Sequence, residues 1–170
     1  MSSTAARPTL HFLCGKMAAG KSTLSRKLAT EFGAVLICED LWLSRLYPDE
    51  IHTFDDYLKY AARLKETLAP HVVDLLRHGY SVVLDFPGNV PRQRQWFRQL
   101  FDAAGADHLL HFVDMPDALC KAQLRQRNEE RPPGSKPMSE AEFEYITGFF
   151  VAPAGAEGFN IRRYEVPHLE

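Results

Sequence analysis

Apolar and polar positions change their period repeatedly along this 170-residue chain. Thr9–Cys14 is a short apolar run of the kind that suits a buried strand. Over Lys21–Phe32 the apolar positions move to Leu24, Leu28 and Phe32, the spacing of a helix with one face turned inward. Ala34–Cys38 returns to a strand-like run. Phe54, Tyr57, Leu58, Ala61, Leu64 and Leu68 then recur every three or four residues, and Thr53 with Asp56 makes a capping box at the start of that helix. Pro70 falls inside the pattern. It has no N–H to donate, so a kink or break is expected there, with helix resuming to Arg77 and ending at His78-Gly79.

The second half continues the alternation. Tyr80–Leu84 reads as a third strand, closing on Asp85-Phe86-Pro87-Gly88. Pro91–Ala104 is a proline-led helix stopped by Gly105, and Asp107–Val113 a fourth strand. Pro116–Asn128 is a further proline-led helix. Glu129–Pro137, charged and rich in proline and glycine, is a loop, and Ser139 with Glu142 caps a helix carrying Phe143, Ile146, Phe149 and Phe150. Asn160–Val166 is a fifth, weaker strand. Strands alternating with helices over the whole length predict a single α/β domain, a parallel sheet covered on both faces in three layers.

Composition narrows the setting. A formal charge of −2 gives no general field for nucleic acid or an anionic membrane, so any anion site must be local. Cys14, Cys38 and Cys120 are too far apart for metal-ligand spacing and are expected to be reduced thiols. His108 and His111, three apart in a strand, point to opposite faces and cannot share one ion. Met1–Pro8 lacks the apolar centre of a signal peptide, and no apolar stretch approaches the roughly 20 residues of a membrane span. A cytoplasmic protein with no membrane partner is expected.

Chemistry enters at Gly15-Lys16-Met17-Ala18-Ala19-Gly20-Lys21-Ser22, which fits G-x-x-x-x-G-K-[ST] between an apolar strand and an amphipathic helix. Its glycines let the backbone curl so that successive N–H groups point at phosphate oxygens. Lys21 is expected to reach the β- and γ-phosphates, Ser22 to ligate magnesium, and Thr23 to continue the cradle, with the helix dipole adding to the attraction. The cradle implies a nucleotide phosphate without naming a reaction. Asp85-Phe86-Pro87-Gly88 has the spacing of a GTPase motif, yet the chain has no Asn-Lys-x-Asp to read guanine. A motor or remodelling ATPase would follow its strand with Asp-Glu, where this chain has Asp-Phe.

A small kinase needs an acid near the acceptor hydroxyl and arginines that close over the transferring phosphoryl group. Glu39-Asp40 follows the second strand, at the sheet end where ligands bind. Asp40 is the candidate base, with Glu39 in reserve; the alternative is that Asp40 only caps a helix through Trp42 and Leu43. Arg125, Arg127 and Arg131 lead into the Pro-Gly loop, so about 125–138 is a candidate lid, against the alternative of a solvated helix face. Asp85 is a candidate magnesium ligand or a turn cap, and Asn89, Arg92 and Arg94 stand on the same rim as candidate acceptor contacts. Trp42, Trp96 and Phe149-Phe150 read as core or pocket wall.

Together, Gly15–Ser22, the strand ending Asp85-Phe86-Pro87-Gly88-Asn89, Leu124-Arg125-Gln126-Arg127-Asn128 and Pro153…Glu157-Gly158-Phe159-Asn160 resemble small bacterial AAA-type ATP-binding proteins of the zeta-toxin and chloramphenicol-phosphotransferase-like kinase group. The resemblance covers nearly the whole chain and implies the fold shared with adenylate kinase, gluconate kinase, shikimate kinase and the polynucleotide kinase domain. It implies a five-stranded parallel sheet in the order 2-3-1-4-5, Lys21 and Ser22 on phosphates and magnesium, Asp40 as base and Arg127 in the lid. Polynucleotide kinases place an arginine three residues after the base, whereas this chain has Leu43, which argues against a nucleic-acid acceptor. The expectation is an ATP- and magnesium-dependent phosphotransferase acting on a small-molecule hydroxyl. The alternatives are an ATP-binding regulatory ATPase and a nucleoside or polynucleotide 5′-kinase.

Overall fold

The computed structural model describes residues 6–133 and 135–165. Five strands, β1 (Thr9–Gly15), β2 (Val35–Cys38), β3 (Val82–Asp85), β4 (Asp107–Asp114) and β5 (Ile161–Glu165), form one all-parallel sheet in the order 2-3-1-4-5. Val166, expected in the fifth strand, lies outside the described residues. The helices are α1 (Lys21–Phe32), α2 (Glu39–Leu46), α3 (Phe54–Arg77), α4 (Pro91–Ala104), α5 (Asp117–Glu130) and α6 (Glu140–Thr147), with a 3₁₀ turn at Gly155–Glu157.

Alternation along β1 divides the core. Leu10, Phe12 and Cys14 face one layer, packed with Leu64, Leu68 and Val72 of α3 and Phe97 and Phe101 of α4. Leu13 faces the other, with Leu24 and Leu28 of α1, Leu124 of α5 and Phe143 of α6. Because a parallel sheet buries both faces, most residues of β1 are apolar, which is what made the strand visible as a largely apolar run.

The chain does not break at Pro70. Helix α3 runs unbroken for 24 residues, with the Thr53/Asp56 capping box at its start and Pro70 inside it. One lost backbone bond is outweighed by a stripe of buried side chains on both sides of the proline, including Leu64, Leu68, Val72 and Leu76. The second capping box, Ser139 with Glu142, forms as expected at α6.

After α5 the chain folds back on itself. Asn128 brackets Met138, its Nδ2 donating to the Met138 carbonyl at 2.7 Å and its Oδ1 accepting from the Met138 amide at 3.0 Å. Lys136 donates to the Ile51 carbonyl, so this return crosses to the connection between α2 and α3.

Candidate active site

The turn from β1 into α1 makes an anion cradle for local reasons. Gly20, the N-cap of α1, has φ 95 and contributes no side-chain cap, and the first turn of the helix carries no acidic residue. The N–H groups and positive end of α1 are therefore left available to an anion. Ala18 also adopts the left-handed region, at φ 58, an uncommon state for a residue with a Cβ. Lys21 folds over the loop, donating to the Lys16 carbonyl at 2.9 Å and to the Gly15 carbonyl. Burial depresses its ammonium pKa, against the opposing charge of Asp85. Lys16 pairs with Asp117 at the start of α5 and reaches over the Phe150 ring. Beside it a cavity of about 320 Å³ is lined by Lys16, Asp114, Met115, Pro116 and Glu165.

At the end of β3, Asp85 Oδ2 accepts from Ser22 Oγ at 2.8 Å. The pair presents two hard oxygen donors next to the cradle, a set that suits magnesium completed by phosphate oxygens and water. Among the described residues no cluster of three or more His, Cys, Asp or Glu side chains forms a closed protein-only metal site. The donor chemistry fits magnesium carried in with a nucleotide.

Asp40 lies in the first turn of α2. The helix starts one residue earlier, with Cys38 as N-cap and no side-chain cap, so the capping alternative for Asp40 is not what the structure contains. Its carboxyl pKa is raised, first by desolvation from the surrounding protein and then by Asp85, with Arg127 and Lys21 pulling the other way, while the side chain itself stays open to solvent. Those four charged groups lie within electrostatic reach of one another. Glu39, the next residue back, turns toward α3: Oε2 accepts from Tyr57 Oη at 2.8 Å, while Oε1 is buried without a partner. Burial pushes this carboxyl up to about 7.

The three arginines expected in a lid separate. Arg125 is exposed and pairs with Glu140. Arg131 is the exposed left-handed C-cap of α5. Arg127 alone turns inward, with Nη1 3.8 Å from the Met17 sulfur in the cradle and a buried Nε that has no partner.

The family described as an AAA domain matches residues 10–153 of this sequence, the cradle, Asp40, Asp85 and Arg127 among them. The chain belongs to the AAA domain family. No curated protein matches it. Among solved structures, a Chloroflexus aurantiacus J-10-fl protein provisionally described as a kinase superposes with TM-score 0.73 at 18% identity, covering 94% of this chain and 86% of that one. The Mycobacterium tuberculosis APS kinase CysC, solved with AMPPNP and APS, gives TM-score 0.63 at 19% identity over 95% and 90%. Chaetomium thermophilum Kti12, solved with ADP-AlF3, gives 0.66 at 18% over 93% and 89%. These likenesses establish the P-loop kinase-like fold.

Two expected acceptor contacts of this AAA-domain chain do other work. Arg94 is fully buried. Its Nε donates to Glu157 at 2.8 Å and its Nη1 to the carbonyls of Gly88 and Val151, so its guanidinium is spent on the protein. It is therefore removed from the acceptor-contact set. Asn89 accepts from the Gly15 amide at 3.0 Å through Oδ1 and is itself held by Gln93 and Val151. It braces the root of the cradle. Arg92 remains on the exposed rim. Gly88, beside Asn89, passes so close to the Leu13 carbonyl that any Cβ there would collide with it. Tyr57 stands in the sequence only as a member of the apolar stripe of α3, and Lys65 only as a lysine intruding beside it.

Proposed function

We propose that the chain is an ATP-dependent phosphotransferase that moves the γ-phosphoryl group to a hydroxyl of a small molecule. The observation that carries this reading is Asp40: a carboxylate without a hydrogen-bond partner among the described residues, within electrostatic reach of Lys21, Arg127 and Asp85. A regulator that only senses ATP has no use for an acid opposite the γ-phosphate position. A kinase needs one to orient an incoming hydroxyl.

In this reading the triphosphate lies on the backbone N–H groups of residues 15–22, and the base enters the cavity beside Lys16. Magnesium, when bound with the nucleotide, would be held by Ser22 and Asp85 and would draw charge from the phosphate oxygens. Asp40 aligns the acceptor hydroxyl and takes its proton as the new O–P bond forms and the bond to ADP breaks. Lys21 and Arg127 offset the negative charge spread over the transferring group. The segment following α5, tied to Asn128 and Ile51, is the lid that excludes water. Leu43, three residues after Asp40, is buried in the core, so that position offers no cation to a nucleic-acid phosphate.

The test is ATP consumption with a library of hydroxyl compounds, following the phosphate onto the acceptor by mass spectrometry. Asp40→Asn should retain ATP affinity and lose transfer by roughly 10²–10⁴, the usual contribution of a positioned base. Slow ATP hydrolysis with no acceptor, unaffected by Asp40→Asn, would instead identify a regulatory ATPase.

A further inference from the structure

Between α2, α3 and α4 lies a group of polar side chains that the phosphate chemistry leaves without a task. Lys65 of α3 is half-buried, its Nζ 5.3 Å from the centre of the Trp96 ring. Among the described residues it has no hydrogen-bond partner; burial depresses its pKa, the Glu39 carboxylate opposes that, and the Arg92 guanidinium adds to it. A second cation, Arg92, stands on the exposed rim near Lys65, and among the described residues Glu39 is the carboxylate that acts on the Lys65 ammonium. Glu39 is 1% exposed, with one oxygen taken by Tyr57 and the other unsatisfied.

A buried polar atom without a partner carries a cost of about 1–3 kcal/mol, and an unpaired half-buried ammonium is likewise unfavourable. Leucine or methionine at position 65 would have extended the apolar stripe of α3 at no such cost. The corner holds spare donors and a spare acceptor side by side. It also adjoins the hydroxyl-orienting group directly, because Glu39 and Asp40 are consecutive in the first turn of α2. That combination describes a subsite for a ligand with both a negative group and hydroxyls.

We propose that Lys65, Arg92, Glu39 and Tyr57 form the acceptor subsite, and that the acceptor is an anionic alcohol carrying a carboxylate or phosphate group beside the hydroxyl to be phosphorylated. This rests on the phosphotransferase reading above. The anion sits on Lys65 and Arg92, with the Trp96 ring backing the Lys65 ammonium, and the free Glu39 oxygen engages a second hydroxyl. The reacting hydroxyl meets Asp40, gives up its proton there and gains the γ-phosphoryl group as ADP leaves. Neutral polyols of the same length forgo the ionic contact.

Trp42 and Trp96 are the two tryptophans of the chain, so Trp42→Phe leaves Trp96 as the sole reporter, directly under the Lys65 ammonium. The probes are matched sets titrated in the presence of a non-hydrolysable ATP analogue. One set is glycerol, D-glycerate and glycerol 3-phosphate; the other is sorbitol, D-gluconate and sorbitol 6-phosphate. At least one anionic member should change Trp96 emission saturably while its neutral counterpart does not, and which anion responds separates carboxylate from phosphate. Lys65→Met should weaken that binding by roughly 10- to 100-fold, the value of a charge-assisted contact, with ATP-analogue affinity and melting temperature unchanged. Normal ATP-analogue binding with no Trp96 response to any of the anions would overturn the subsite alone. A response equal for neutral and anionic members, or one unchanged in Lys65→Met, would overturn it too. An anion that binds through Lys65 but is never phosphorylated would support the subsite while removing the phosphotransferase reading.

Discussion

Ser22 donates to Asp85 across the mouth of the cradle, 2.8 Å from oxygen to oxygen, joining the start of α1 to the end of β3. Ser25 Oγ, at 3.4 Å, is a weaker second contact to the same carboxylate oxygen. If this pair is the protein's share of a magnesium site, Ser22→Ala and Asp85→Asn should each raise the magnesium concentration needed for half-maximal ATP turnover by roughly tenfold or more, with Asp85→Asn the more severe because it removes a charge. Ser22 is exposed, so its variant should melt within about 0.5 kcal/mol of the parent. Turnover that persists in excess chelator would remove the metal from the mechanism.

Arg127 differs from its neighbours in what its guanidinium touches. Its buried Nε has no partner and Nη1 rests on Met17, whereas Arg125 is already engaged by Glu140 at the surface. Arg127→Ala should therefore lower kcat by roughly 10- to 1,000-fold with a smaller change in ATP affinity, since its charge matters most as the phosphoryl group transfers. Arg125→Ala and Arg131→Ala should stay within about twofold of the parent kcat. Steady-state kinetics on the three single variants decides it; equal effects from all three would return the segment to a solvated face.

The central strands were legible because they bury both faces and read as largely apolar runs, whereas β5 is mostly exposed and carries two arginines. The cradle was legible because its chemistry needs glycines and a lysine at fixed spacing. The two capping boxes were legible for the same local reason. Other features depend on partners far away in sequence. Arg94 looks like any rim arginine until Glu157, 63 residues later, is placed beside it. Asn89 reads as a ligand contact until β1 and the end of β3 are seen side by side. Continuity of α3 through Pro70 depends on core burial that a local rule cannot weigh. Arg125, Arg127 and Arg131 are alike in sequence, and only the rotation of α5 against the cradle tells them apart.

His11 and His111 form a buried chain under α1, with His11 Nδ1 3.0 Å from His111 Nε2 and His111 Nδ1 2.8 Å from Tyr164 Oη. Burial, reinforced by Arg162, lowers His11 to about 4; burial, reinforced by His11 and Arg162, lowers His111 to about 3. Both pKa values are depressed on folding, so the neutral pair is stable above the unfolded value of about 6.5, and stability falls as pH drops from there toward 4. Two extra protons on the unfolded chain set a limiting slope of about 2.7 kcal/mol per pH unit. Denaturant unfolding at pH 7.5, 6, 5 and 4.5 should show this loss, and His11→Leu/His111→Leu should flatten it. An unchanged slope in the double variant would place the acid sensitivity elsewhere.

The Arg94–Glu157 pair gives a direct test of whether the rim arginine binds protein or substrate. Arg94 is fully buried, and Glu157 accepts from it at 2.8 Å through Oε1 and at 3.1 Å through Oε2. The same guanidinium donates to Gly88 O at 2.9 Å and Val151 O at 3.0 Å, and Asn89, next to Gly88, holds the Gly15 amide. Removing one partner of a buried pair leaves a charge with no answer, so Glu157→Ala should cost about 3–5 kcal/mol. Arg94→Ala should cost a similar amount, because it strands the Glu157 carboxylate and two carbonyls. The double variant Arg94→Met/Glu157→Gln removes both charges and keeps most of the volume, so it should recover much of that loss. Equilibrium unfolding of the four proteins gives the coupling directly. ATP affinity should weaken in the single variants through the Gly88-Asn89 turn and recover in part with stability in the double. An Arg94→Ala protein with parental stability and a raised acceptor KM would instead restore the rim arginine to the acceptor site.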